Sequence, residues 1–414
     1  MKITKGGFDI KNKTLLHGIR VIDFTRAALG PVCTKYLADF GAEVIKVEST
    51  DAPDVARGML PYRDGKSGIN RSCSYAWFHT SKRSITLNLK TPQGKELAKR
   101  LVNVADVVAE NFTAGTMERL GLSYDELKQV NPKIIMVSLS ALGQSGPYRS
   151  MPALGNFIQA WSGMNSLIGL PGREHPIECG VPTPDYIGAH LGVIAVIGGL
   201  LYRQRTGKGQ YIDISMLEVS VPVIGQAVLD YAVNGREATL TGNRSSYAAP
   251  HGVYRCKGSD RWCAISVFND GEWAGFIKAI GNPDWASDSR FATMLGRKEN
   301  EDELDRKIEA WAINHTAEEV MALLQAHGVA AAVVQNGKDL VEDPQLGYRQ
   351  HFRIAEGHHE LGTHYSQAPS FILSKASPHL GPTPCIGQDN EYVFTQILGM
   401  SDTQFVDLYT SGII

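Results

Sequence analysis

Several features are scarce or missing in this sequence. Its six cysteines (Cys33, Cys73, Cys179, Cys256, Cys263, Cys385) show no C-x-x-C spacing. That argues against a zinc ribbon, a thioredoxin-type pair or a dense disulfide scaffold, and favours a reducing compartment. Net charge is nearly absent: 41 Lys+Arg against 43 Asp+Glu leaves −2, so no global basic field exists for nucleic acid. No hydrophobic run reaches the about 18 residues of a bilayer span. The most apolar stretch, 187–202, contains His190 and reads as a buried helix. The opening MKITKGGFDIKNK has no apolar signal-peptide core. A cytoplasmic protein with no nucleic-acid or membrane partner is expected. The first βα turn, TRAALGP at 25–31, has neither G-x-G-x-x-G nor a Walker A lysine, which argues against a dinucleotide or triphosphate bound in the usual way. No His/Cys cluster points to a metal.

What is present reads as globular and α/β. The 414 residues, 43% hydrophobic, suit two or three domains at roughly 150 residues each. Residues 18–25 (GIRVIDFT) read as a strand, 31–40 as a helix with apolar spacing, and 43–47 (EVIKV) as a second strand. That is a βαβ unit with parallel neighbours. Strands at 83–89, 106–109 and 133–139, with helices at 92–104 and 123–129, continue the alternation. A helix from about 186 to 205, a strand at 210–216 and a helical stretch at 217–233 follow. The pattern implies a Rossmann-like large domain with a parallel sheet, whose ligands lie beyond the carboxyl ends of the strands. Those ends are 25–28, 48–49, 110–112 and 140–142. Strands at 252–254 and 262–267, then helices near 270–280 and 300–315, indicate a smaller α/β domain. The small domain is expected at 225–335, between an amino-terminal segment 1–224 and a final segment 336–414.

Two features carry chemistry. Lys82-Arg83, Lys90 and Arg119 form a basic set around the second and third crossovers. They are either solvated surface charge or the site of a ligand with several phosphates, with Phe112 available to its apolar portion. Asp185, in PTPDYIGAHL at 182–191, opens the apolar helix. As an N-cap it satisfies free N–H groups; the same helix end keeps a carboxylate ionised, and such a carboxylate can attack an acyl carbon. Tyr148, Trp161, Met164 and Tyr247 are candidate apolar contacts, though such residues are more often core.

These segments together resemble the class III CoA-transferases, which include formyl-CoA:oxalate, carnitine and benzylsuccinate CoA-transferases, with α-methylacyl-CoA racemases as relatives. The matching stretches are GIRVIDFT…LGP…LADFGAEVIKVE (18–48), SKRSITLNLKTPQGKEL (81–97), AENFTAGTMERLGLSYDEL (109–127), NPKIIMVSLSALGQSGPY (131–148), PDYIGAHLGVIAVIGGLLYRQRTGKGQYIDISM (184–216) and APHGVYRCKGSDRWCAISV (249–267). The resemblance implies a large Rossmann-like domain built from 1–224 with 336–414 returning to it, a small domain at 225–335, and an interlocked dimer or a heteromer with a homologous subunit. It also implies coenzyme A esters as substrates with no tightly bound cofactor, and Asp185 as the nucleophile that forms an aspartyl anhydride and then an aspartyl-CoA thioester. By the same resemblance Ala28, Leu29, Leu87, Lys90, Asn111, Phe112 and Arg119 line the CoA site. Succinyl-CoA is a common donor, and a benzylsuccinate-like acid is a candidate acceptor. Two departures matter. The racemases use a His in a Gly-His-Asp stretch where this chain has Ala153-Leu154-Gly155-Asn156, which argues against racemisation. Ser245-Ser246-Tyr247 stands where formyl-CoA transferase has a glycine-rich covering loop. The alternatives are an α-methylacyl-CoA racemase-type isomerase and a non-catalytic CoA-binding subunit of a heteromeric transferase.

Overall fold

The computed structural model describes residues 14–173 and 175–414. They group into two compact units. One holds the described residues up to Asn165, Glu178–Arg236 and Gln345–Ile414; the other holds Ser166–Ile177 and Glu237–Pro344.

The larger unit runs β1 (Arg20–Asp23), α1 (Leu29–Asp39), β2 (Glu43–Glu48), α2 (Cys73–Phe78), β3 (Arg83–Thr86), α3 (Pro92–Asn103), β4 (Val107–Glu110), α4 (Thr116–Leu120), α5 (Tyr124–Val130), β5 (Ile135–Ser140), α6 (Gly155–Trp161), α7 (Thr183–Thr206), β6 (Gln210–Ser215), α8 (Met216–Ser220) and α9 (Gly225–Asn234). The six strands form one parallel sheet in the order β3-β2-β1-β4-β5-β6. β1 and β4 are neighbours, with Val21 opposite both Val44 and Val107. The crossovers therefore wind one way from β1 and the other way from β4, leaving a crevice where the order reverses.

The strands are short apolar runs because the sheet is covered on both faces. Val21 packs with Val32, Leu37 and Val196 on the α1–α7 side, while Ile22 packs with Leu97, Leu101 and Phe394 on the other. Local signals set the helix starts: Thr91 caps α3 ahead of Pro92, and Ser123 with Glu126 forms a capping box for α5. β3 is an edge strand whose free side is taken up by the end of the chain. Ser84 N–H donates to Asp389 (2.9 Å), Thr86 N–H to Asn390 (2.8 Å), and Asn88 N–H to the Ile413 carbonyl (2.8 Å).

α7 differs from the buried helix expected. It spans 24 residues, and only 33% of its apolar window is buried within the chain. Its small-residue face (Gly188, Gly192, Gly199) lies against α1 and the sheet, while Leu191, Ile194 and Leu201 are exposed. By length and composition α7 and the 216–234 segment could each cross a membrane. The expectation from a shorter apolar run missed this because Thr183–Tyr186 and Arg203–Thr206 extend the helix beyond it.

The smaller unit has a three-stranded sheet, β7 (His251–Arg255), β8 (Trp262–Ser266) and β9 (Ala330–Val333), in the order β7-β8-β9. Both pairings are antiparallel. The pairing direction follows from the connection: the six residues between β7 and β8 allow a hairpin but no helical crossover. Trp273, Phe276, Leu304 and Val320 fill its core.

Candidate active site

The turn after β1 is held by side chains from three directions. Lys46, on β2, hydrogen-bonds the Thr25 carbonyl. Asn111, just past β4, accepts from Arg26 N–H (2.7 Å) and donates to the Arg26 carbonyl (2.8 Å). Asp54 Oδ1 accepts from Ala27 N–H at 2.9 Å. Ala27 itself is left-handed, at φ 65°, an uncommon conformation for a residue with a Cβ. The turn delivers the chain into α1 with Leu29 as its first residue, and Leu29 N–H donates to Asp185 Oδ1 at 3.2 Å.

Asp185 is the third residue of α7, not its cap. The cap position is Pro182, with no side-chain cap bond, because Thr183-Pro184 already have helical geometry and carry the start two residues upstream. The carboxylate thus faces the amino end of a neighbouring helix as well as sitting in the first turn of its own. It is 8% exposed. Burial pushes its pKa up to about 6, and the Leu29 N–H works in the opposite direction. Among the described residues no charged side chain contributes, so the two helix ends supply the positive field. At pH 7 the anion still outnumbers the acid by about ten to one.

Gly155, the first residue of α6, closes the other side. A Cβ there would stand 1.8 Å from Asp185 Oδ2 and 2.7 Å from Pro182 Cβ. Only a glycine lets α6 approach this carboxylate. The stretch 153–156, which has no histidine, thus contributes a missing side chain at Gly155.

The other expected residues are placed as follows. Ala28 and Leu29 are buried in the turn, and Leu87 is buried in the core beyond β3. Lys90 and Arg119 are exposed and follow the carboxyl ends of β3 and β4, on the same edge of the sheet. Arg119 donates to Thr116 (2.8 Å), and neither cation forms an ion pair among the described residues. Phe112 is half-buried; its N–H donates to Glu110 Oε2 at 2.8 Å, and burial pushes the Glu110 carboxyl up to about 7. Lys82 and Arg83 leave the basic set. Lys82 is buried and bonded to Asp23 (3.0 Å), Thr34 and the Pro31 carbonyl, while Arg83 pairs with Glu43 and Asp389. Tyr148 and Trp161 make a ring pair at 5.4 Å, Met164 is buried, and Tyr247 is exposed in the smaller unit.

A polar network unseen in the sequence lies behind the turn. Glu48 accepts from Arg57 through both oxygens and from Asp54 N–H; burial would raise its pKa, yet Arg57 and Lys46 hold it down to about 2. Burial, with Lys82 and Lys46 nearby, keeps His79 well below its usual range and therefore neutral. The spacings involved are long and irregular, so nothing local signals them.

The model of CoA-transferase family III matches residues 16–390. The chain is 32% identical to the succinyl-CoA–D-citramalate CoA-transferase of Chloroflexus aurantiacus, covering 96% of this chain and 98% of that one. It is also 32% identical to the beta subunit of the succinyl-CoA–L-malate CoA-transferase of the same organism, with 96% and 98% covered. The crystal structure of a CAIB/BAIF family protein from Brucella suis superposes with a TM-score of 0.85 at 29% identity, over 93% of this chain and all of that one. Matched over nearly its whole length, the chain belongs to CoA-transferase family III and is an enzyme, a CoA-transferase.

Proposed function

We propose that the enzyme moves CoA from succinyl-CoA to a succinate-class dicarboxylic acid, with Asp185 as the nucleophile. The observation that carries this reading is a buried carboxylate with no cationic partner among the described residues, set against the amino end of a second helix. An Asp185 oxygen attacks the thioester carbonyl, giving a mixed anhydride and releasing the CoA thiolate. The thiolate then attacks the aspartyl carbonyl, freeing succinate and leaving an aspartyl-CoA thioester. The acceptor carboxylate attacks that thioester, and the released thiolate takes the acyl group from the new anhydride, restoring Asp185. One thioester replaces another, so no ATP is consumed. Burial of Asp185 serves to keep water from the anhydride. Ala28, Leu29, Leu87, Asn111 and Phe112 would line the CoA arm, with Lys90 and Arg119 on its phosphates.

The relatives' names support succinyl-CoA as donor and a substituted four-carbon diacid as acceptor; a benzylsuccinate-type acid belongs in the same panel. The beta-subunit relative supports assembly with a second, similar chain, and so do the exposed Ile194, Leu229, Tyr231 and Val233. We place the enzyme in the cytoplasm on its cysteine usage.

The test is incubation with succinyl-CoA and a panel of acids, reading new CoA esters by mass spectrometry, followed by hydroxylamine trapping with succinyl-CoA alone. Label on Asp185, and loss of transfer in Asp185→Asn with CoA binding retained, is the expected result. Full turnover in Asp185→Asn would refute the nucleophile.

A further inference from the structure

We infer that Asp54 is a positioning residue for the transfer: it locks the turn after β1 in the left-handed conformation that aims Leu29 N–H at Asp185. The inference rests on the Asp185 reading above and extends it to a residue that does not touch the reacting atoms.

Asp54 Oδ1 accepts two N–H groups at once, from Ala27 and from Ala56, each at 2.9 Å. The Ala56 bond caps the short helical turn that Asp54 begins, so the carboxylate is fixed by its own segment before it reaches across to Ala27. It is 2% exposed. Its N–H donates to Glu48 (3.1 Å), which Arg57 grips through both oxygens. The groups facing its other oxygen are Lys46 at 3.0 Å and neutral His79 at 3.7 Å. Asp54 is thus a rigid acceptor, held from behind and aimed at one N–H.

That N–H belongs to a residue that would not adopt its conformation unaided. A left-handed alanine is disfavoured by its own Cβ and persists only where its surroundings over-determine it. Two residues further on, the backbone presents the N–H that reaches Asp185. Release of Ala27 to negative φ would swing that N–H away. The carboxylate would lose its one donor from another element and become a stronger base for protons, but a worse-placed nucleophile. Displacements of this kind, remote from the chemistry, can cost about a hundredfold in rate.

The test uses the full-length enzyme and three variants. Asp54→Ala removes the acceptor. Asp54→Asn keeps an amide oxygen for Ala27 and Ala56. Ala27→Val leaves the buried charges untouched while penalising the left-handed conformation with a branched side chain. Asp54→Ala and Ala27→Val should each lower kcat by about ten- to a hundredfold, with KM for succinyl-CoA changed by less than about threefold. Both should move the acid limb of the kcat profile upward by about one pH unit, from loss of a hydrogen bond to the anion. Asp54→Asn should restore both toward wild type. If Asp54→Ala does not fold, Ala27→Val and Asp54→Asn decide. A lower melting temperature with kcat and acid limb unchanged, in an enzyme that Asp185→Asn inactivates, overturns the Asp54 assignment alone. A fully active Asp185→Asn overturns the nucleophile and this assignment with it.

Discussion

At the scale of single residues, the site is a contest between desolvation and backbone dipoles, and desolvation wins. Asp185 titrates at about 6 instead of its ordinary 3.8. The buried group therefore favours the native state most below pH 3.8, and that contribution disappears as pH rises through 6. Above neutrality the ionised carboxylate costs stability, up to about 3 kcal/mol for a shift of this size. Asp185→Asn should accordingly raise the melting temperature at pH 8 and leave it unchanged at pH 4; equal melting at both values would mean that the carboxylate is solvated. With Asp185 as the proposed nucleophile, the same ionisation predicts that kcat falls tenfold per pH unit well below 6, as its carboxylate is protonated. Gly155→Ala should displace Oδ2, a Cβ standing only 1.8 Å away, and lower kcat by about a hundredfold. CoA affinity, measured by calorimetry, should stay unchanged. The place of Asp185 at the head of α7 was legible in the sequence because a carboxylate after Pro184 at the start of an apolar helix is a local pattern. Gly155 and Asp54 were not, since each acts on a partner about 30 residues away through space.

At the scale of elements, the site depends on how closely α1 and α7 approach. Gly188 and Gly192 make that approach possible: added Cβ atoms would lie 2.8 Å from Leu29 Cδ1 and 3.0 Å from Cys33 Sγ, both on α1. Gly192→Leu should force the helices apart and destabilise the protein by about 1–3 kcal/mol, seen as an earlier thermal transition. The strands of the larger unit were legible because a doubly covered parallel sheet demands short apolar runs, and β1, β2 and β5 are such runs. The antiparallel sheet of the smaller unit was not, because isolated strand segments carry no sign of their pairing direction. The basic set around β3 illustrates the same limit. Lys82 and Lys90 look alike in sequence, yet one is buried against Asp23 and the other is exposed. Lys90→Ala should raise KM for succinyl-CoA by roughly tenfold and reduce its dependence on ionic strength, whereas Lys82→Ala should lower stability instead.

At the scale of the whole molecule, the exposed apolar surface of α7 and α9 supports the proposed assembly with a second chain. Leu229→Asp and Val233→Asp should yield monomers by sedimentation with an intact far-ultraviolet spectrum; a wild-type monomer at micromolar concentration would remove the reason for expecting assembly. The closing of β3 by the end of the chain bears on how the protein is made. Ser84 and the Asp389 that receives its N–H are separated by 305 residues. At the usual pace of translation, about 5–20 residues per second, a nascent strand must wait tens of seconds for the residues that shield it. Through that interval its open backbone can pair with a stray neighbour. Yield in a cell should therefore hinge on chaperones that shelter the emerging amino-terminal half, more than on the final stability of the finished enzyme.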